Sequence, residues 1–162
     1  TGRDRRDIHG RESGGVNILW AHHGDALYEA LSWFVAGRIG APVSGAERGT
    51  AMAVADGVKI IAAVIYHNYQ PDAGVIELSA ASDDKRWLTR PVLAEMFAFP
   101  FDQLGCQAVV LRADANRRDL KRIFTAYGFN RVVVPRMRGR DAPEAIYVLG
   151  DDEWRANGFH RS

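Results

Sequence analysis

The sequence has a single cysteine, Cys106, among 162 residues. One thiol cannot close an intramolecular disulfide, which excludes the disulfide-stapled secreted class. It also excludes a CxxC or mixed Cys–His zinc framework. No charge sign dominates: 21 basic residues face 20 acidic ones, a net of +1. Apolar runs are interrupted well short of the roughly 20 residues of a membrane span. Proline and glycine, 6 and 16 residues, are too sparse for a collagen-like or low-complexity chain. What remains is 47% hydrophobic and 25% charged residues, the composition of an ordinary soluble domain. This length buries a core without staples. Residues 1–7 have no apolar stretch behind them, so the expectation is no signal peptide and a cytoplasmic protein.

The charge is unevenly spread. Residues 1–15 carry four arginines against three acids, and residues 116–140 carry eight bases against one acid. A window with a net of +7 attracts phosphates, of a cofactor or of nucleic acid, or is simply a solvated helix face. A nucleic-acid or protein-assembly contact through 116–140 and the N-terminal tail is therefore an expectation.

Periodicity organises the chain. Residues 1–15 read as a tail, 16–150 as one domain and 151–162 as a second tail. A short strand, 16–20, precedes a helix with Asp25 as N-cap and Leu27, Leu31, Phe34 and Val35 at helical spacing. Three strand-like runs follow, 50–55, 59–69 and 75–81, with Asp56-Gly57 as the first turn. Thr89 caps a second helix that Pro100 should kink or end, and 108–111 is an apolar strand. A basic helix, 119–127, stops at Gly128, and strands 131–135 and 145–149 close the series. Such an order, β-α-β-β-β-α-β-α-β-β, predicts a mixed α/β sheet of about seven strands flanked by helices.

Two local signatures accompany that order. One is Arg86-Trp87-Leu88-Thr89-Arg90 ahead of an apolar helix ending Gln103-Leu104-Gly105-Cys106. The other is Asn116 with a helix ending Ala126-Tyr127-Gly128-Phe129. With these the chain resembles the Gcn5-related N-acetyltransferase superfamily, in a subgroup common in bacteriophages and prophages. The resemblance covers residues 16–150. It implies an acyl-coenzyme A N-acyltransferase fold, with acetyl-coenzyme A as co-substrate and direct transfer to an amine. The coenzyme would lie between strands 75–81 and 108–111. Backbone at Leu78 and Ala80 would meet the pantetheine amides, Asn116 would bond the cofactor, and pyrophosphate would sit near Thr89. The family's loop there is glycine-rich; this chain has none, so Lys85, Arg86 and Arg90 are expected to supply charge-assisted contacts instead. Where relatives carry an acidic tyrosine, this chain has Phe124.

An amine acceptor must lose a proton. Glu77, a carboxylate in the apolar strand Val75-Ile76-Glu77-Leu78, is the first candidate base, unless it is an edge residue paired with an arginine. His67, between Tyr66 and Tyr69, is the second. His22 and His23 are candidate substrate contacts from the first loop. No Asp, Glu, His or Cys set has metal-ligand spacing, so no metal is expected. The alternative to an enzyme is an acyltransferase-like fold reused as a binding or phage-virion structural module, in keeping with the missing glycines, Phe124 and the arginine-rich tail.

Overall fold

The computed structural model describes residues 16–157. Seven strands form one sheet: β1 (Asn17–His22), β2 (Thr50–Asp56), β3 (Lys59–Gln70), β4 (Val75–Ser82), β5 (Ala108–Asp114), β6 (Asn130–Val134) and β7 (Glu144–Gly150). Their spatial order is β1-β2-β3-β4-β5-β7-β6. All neighbours are antiparallel except β4 and β5, which are parallel. Four helices accompany them: α1 (Ala26–Ile39), α2 (Arg90–Ala98), α3 (Arg118–Tyr127) and α4 (Asp151–Ala156). The mixed α/β sheet flanked by helices is the expected fold class.

Strand alternation divides the core in two. On one face Met52, Val54, Val64, Tyr66, Ile76, Leu78 and Val109 pack with Leu93, Met96 and Phe97 of α2 and Tyr127 of α3. On the other face Ala51, Ala53, Ala63 and Ile65 pack under Tyr28, Leu31 and Val35 of α1. The alanines matter here. They bring the helix close to the sheet over β2 and β3.

Caps and breakers act largely as their chemistry dictates. Thr89 caps α2 by accepting from the Val92 N–H. Helix α2 ends at Ala98, and Pro100 sits in a single wide turn, Phe99–Gln103, with π-type hydrogen bonding. Gly40 and Gly128 end α1 and α3 in left-handed backbone, with φ 79° and 115°. Asp25 precedes α1 as expected, but its carboxylate accepts from the His22 N–H instead of capping the helix.

Most boundaries fall within one or two residues of expectation, and two differ by more. Strand β5 runs three residues beyond Leu111, to Asp114, because β7 pairs with it along its whole length. Residues 151–156, expected within a tail, form α4. Trp154 of that helix is buried and stacks on Phe101 at 5.1 Å, so a lone apolar residue in a polar stretch anchors it. Residues 1–15 and 158–162, the rest of the expected tails, lie outside the described residues. No helix of the described residues is long and apolar enough to cross a membrane.

Candidate functional site

The parallel pair opens at one end. β4 and β5 are in register from Val75↔Ala108 to Leu78↔Leu111. Beyond that point β4 continues through Ser79, Ala80, Ala81 and Ser82, bonded only to β3. β5 continues through Arg112, Ala113 and Asp114, bonded only to β7. The two inner backbone edges therefore face a wedge with unspent N–H and C=O groups. Of the two backbone positions expected to meet pantetheine, Leu78 is the last paired residue and Ala80 lies just inside the opening.

Glu77 stands at the apex, one residue before the last parallel pair. Its side chain is 18% exposed and that of His67, its cross-strand partner, 1%. Between His67 and Gln70 the register shifts, two residues of β3 facing one of β4. Such a bulge re-aims side chains. Asn68, at φ 53°, sits in it and donates from Nδ2 to Glu77 Oε1 at 3.0 Å. His67 Nε2 is 3.9 Å from Glu77 Oε2 and 2.8 Å from Ser79 Oγ. His67 Nδ1 lies 2.5 Å from the Ser44 carbonyl. A carbonyl only accepts, so Nδ1 carries the proton and Nε2 accepts from the Ser79 hydroxyl. Burial, the largest influence, lowers the imidazole's pKa from 6.5, while Glu77 and the Ser44 carbonyl pull it the other way. The ring is thus neutral at pH 7.

His67, expected as a second base, is enclosed and has both ring nitrogens engaged, Nδ1 by Ser44 and Nε2 by Ser79. The arginine partner considered for Glu77 is not what holds it; Asn68 is. His22 and His23 are exposed at the end of β1, with ring Nδ1 atoms 3.1 Å from Thr50 Oγ1 and 3.2 Å from the Gly49 carbonyl.

The start of α2 is a poorer anion site than its position suggests. The Thr89 N–H donates to the Trp87 carbonyl, Pro91 has no N–H, and the Val92 N–H is taken by Thr89 Oγ1. Three of the four donors that a helix start offers are spent. Three cations are exposed around it. The Arg86 side chain is 91% exposed beside Asp84, at 3.5 Å, and Lys85 and Arg90 are also exposed. The neighbouring Asp83 is occupied by a two-pronged contact from Arg38, both bonds at 2.7 Å. Trp87, where relatives have glycine, packs against the core edge. Asn116 is exposed in the turn before α3, its N–H bonded to Asp114 Oδ1.

Phe124 stands at the place where the resemblance leads one to expect an acidic tyrosine. Phe124 packs on Tyr147 and Phe129, 4.9 and 5.4 Å away. Tyr127 is buried against Phe97, and burial pushes its hydroxyl up to about 12. The Cys106 thiol is buried and likewise raised.

Three supporting residues were not singled out in the sequence. Ser79 had only its alternation with Glu77 to mark it. Asn68 and Ser44 are brought in by the bulge and by the 41–49 loop, which no local pattern announces.

The opened parallel pair, with its crossover helix and flanking sheet order, decides the fold. It is the Gcn5-related N-acetyltransferase fold. A spermidine N-acetyltransferase of Vibrio cholerae superposes with a TM-score of 0.68 at 12% identity, covering 87% of this chain and 96% of that one. A ribosomal-protein-S5-alanine acetyltransferase of Vibrio fischeri gives 0.64 at 13%, covering 86% and 95%. The yncA protein of Salmonella typhimurium, assigned as an acetyltransferase and solved with acetyl-CoA, gives 0.62 at 12%, covering 86% and 95%. In two other structures assigned as acetyltransferases, one of them from T. thermophilus, the match spans only 62% and 65% of the neighbour's length, at TM-scores of 0.61 and 0.56. No protein-family model and no curated protein matches the sequence. The N-acetyltransferase fold is therefore shared at identities where sequence comparison is silent.

Proposed function

We propose that the protein is an acetyl-coenzyme A-dependent N-acetyltransferase whose base is Glu77. The observation that carries this is the position of a sequestered, hydrogen-bonded carboxylate at the apex of the β4–β5 opening. Acetyl-coenzyme A supplies an activated acetyl thioester. Backbone at Leu78 and Ala80 would hold its amide arm as an extra strand would, and Lys85, Arg86, Thr89, Arg90 and Asn116 would hold its phosphates and flank.

The chain's own part is proton handling and placement. An ammonium acceptor gives a proton to Glu77, directly or through one water. The freed nitrogen lone pair attacks the thioester carbonyl carbon, the C–S bond breaks, the nitrogen passes its second excess proton to water, and the thiolate takes its proton from water. Asn68 fixes one Glu77 oxygen. His67, kept neutral by burial, adds no positive charge that would compete with the acceptor for the carboxylate. With Phe124 in the acid's place, departure of the thiolate is the slower half.

The test is calorimetric titration with acetyl-coenzyme A, followed by an amine screen read by free-thiol release. Micromolar binding, on the order of −8 kcal/mol, supports the reading. A flat titration at millimolar ligand overturns it. It would favour the second reading, a binding or virion module, which the core-packed Trp87 and the spent donors of α2 support.

A further inference from the structure

The basic window 116–140 does not act as one surface. Arg117 is clamped on Asp119, with bonds of 3.0 and 2.8 Å. Arg131 bonds the Ala115 carbonyl and the Tyr147 hydroxyl. Arg138 pairs with the buried Glu144 at 3.1 Å. These three cations are structural. Of the other five, Arg136 and Arg140 are exposed in the segment between β6 and β7, whereas Arg118, Lys121 and Arg122 share one helix, α3. All are exposed, and among the described residues none has an acidic partner within 4 Å.

The aliphatic stems of Arg118, Lys121 and Arg122, with Thr125 and Ala126, line a shallow open depression along α3, above which their charged ends stand. The orientation of this face follows from Tyr127, which stacks on Phe97 of α2. At about 100° per residue, Arg118, Lys121, Arg122 and Thr125 lie roughly 120–180° around the helix from Tyr127. The face is turned away from Phe97 of α2.

Helix stability does not explain the arrangement. Cations favour a helix C-terminus, where the dipole is negative. The last turn of α3 has no basic residue, and its free cations stand in the first half. Asp119, the acid of the first turn, is already engaged by Arg117, so it does not offset them. The chain as a whole is nearly neutral, at +1. A three-cation face on it is a local feature, not a by-product of a basic protein.

We propose that this face of α3 binds the phosphate backbone of duplex nucleic acid, at a site separate from the coenzyme wedge. A protein partner fits less well, because protein interfaces need an apolar or aromatic anchor, and this face offers only Thr125 and Ala126. Single strands fit less well for a related reason: there is no ring on which bases would stack. What the face does offer is cations and a hydroxyl, the groups that contact phosphate without reading sequence.

The probe is a fluorescent 20-base-pair DNA duplex, read by anisotropy against salt. Three neutralised phosphates predict a slope of log K on log salt of about −3, a loss of roughly 40-fold between 50 and 200 mM. The variant Arg118→Gln/Lys121→Gln/Arg122→Gln should lose at least about tenfold in duplex affinity at low salt. Its coenzyme affinity and thermal midpoint should not fall. Arg118→Lys/Arg122→Lys, which keeps the charge, should retain duplex binding. Parent-like duplex binding by the triple Gln variant would overturn the proposal. So would displacement of the duplex by polyglutamate at equal charge concentration, which would mark an acidic protein site.

Discussion

The side chain of Asn68 occupies the space that a β-carbon on Gly45 would need, with its Oδ1 deep inside contact distance of that position. Gly45 is also in left-handed backbone, at φ 74°. The loop over the end of β3 thus approaches Asn68 closely because residue 45 has no side chain. Gly45→Ala should push Asn68 off Glu77. The expected result is a turnover loss of about tenfold or more, with coenzyme affinity retained, since Asn68 makes one charge-assisted bond to the carboxylate. Unchanged kinetics in Gly45→Ala would show that the Asn68–Glu77 bond is idle.

Glu77→Gln keeps the shape of the side chain and removes the base. Turnover should fall by roughly 10²–10⁴-fold across pH 6–9, with coenzyme affinity nearly unchanged. Steady-state rates on any amine found in the screen measure the first, and calorimetry the second. Full turnover in this variant would place the base elsewhere.

The buried His67 predicts an acid-sensitive fold. Its folded pKa lies below the ordinary 6.5, mainly through burial. Between those two values the unfolded chain binds more protons, so stability rises with pH. The contribution is complete above about pH 6.5 and is lost as pH falls through the folded value. The thermal midpoint should therefore drop below pH 6.5, and His67→Gln should flatten that part of the profile. A parent and variant with parallel profiles from pH 7.5 to 5 would refute this account.

Much of the fold was legible because its signals are local. Strand alternation, the Asp56-Gly57 turn, the Thr89 cap and Gly128 each act within a few residues. The apex carboxylate was legible too, since a lone Glu in an apolar strand is conspicuous. The rest depended on long-range pairing. β7 extends β5 to Asp114, and only that pairing shows where the wedge begins. His67 lies between two tyrosines in the sequence, yet its enclosure comes from Ser44, 23 residues away. Helix α4 was missed for the same reason. Its six residues are mostly polar, and nothing near Trp154 in the chain reveals that Phe101 is waiting for it.

Arg86 and Arg138 separate coenzyme binding from stability. Arg86 is exposed in the loop between β4 and α2, whereas Arg138 pairs with Glu144, which also holds Arg112 at 2.8 Å. Arg86→Ala should weaken acetyl-coenzyme A binding about tenfold, the loss of one charge-assisted phosphate contact, and leave the thermal midpoint in place. Arg138→Ala should do the reverse, because buried Glu144 keeps only one of its two cations. Equal effects of the two changes on coenzyme affinity would undo the assignment of the 84–90 loop to phosphate.

Trp154 tests whether the last helix is part of the domain. Its ring is 4% exposed and stacks on Phe101, which in turn lies 6.4 Å from Phe97 of α2. Phe97 contacts Tyr127 and Phe129, at 5.2 and 5.9 Å. An aromatic chain thus runs from α4 through the turn after α2 to α3. Removing the indole leaves a cavity that a helix of six residues cannot fill by shifting. Trp154→Ala should cost about 3–5 kcal/mol, the usual range for a large aromatic lost from a core. Trp154→Phe should recover a good part of that by keeping a ring against Phe101. Both are read by urea unfolding of the full chain, where the midpoint should fall with little change in slope. A loss below about 1 kcal/mol for Trp154→Ala, typical of a surface site, would return residues 151–156 to the status of an appendage.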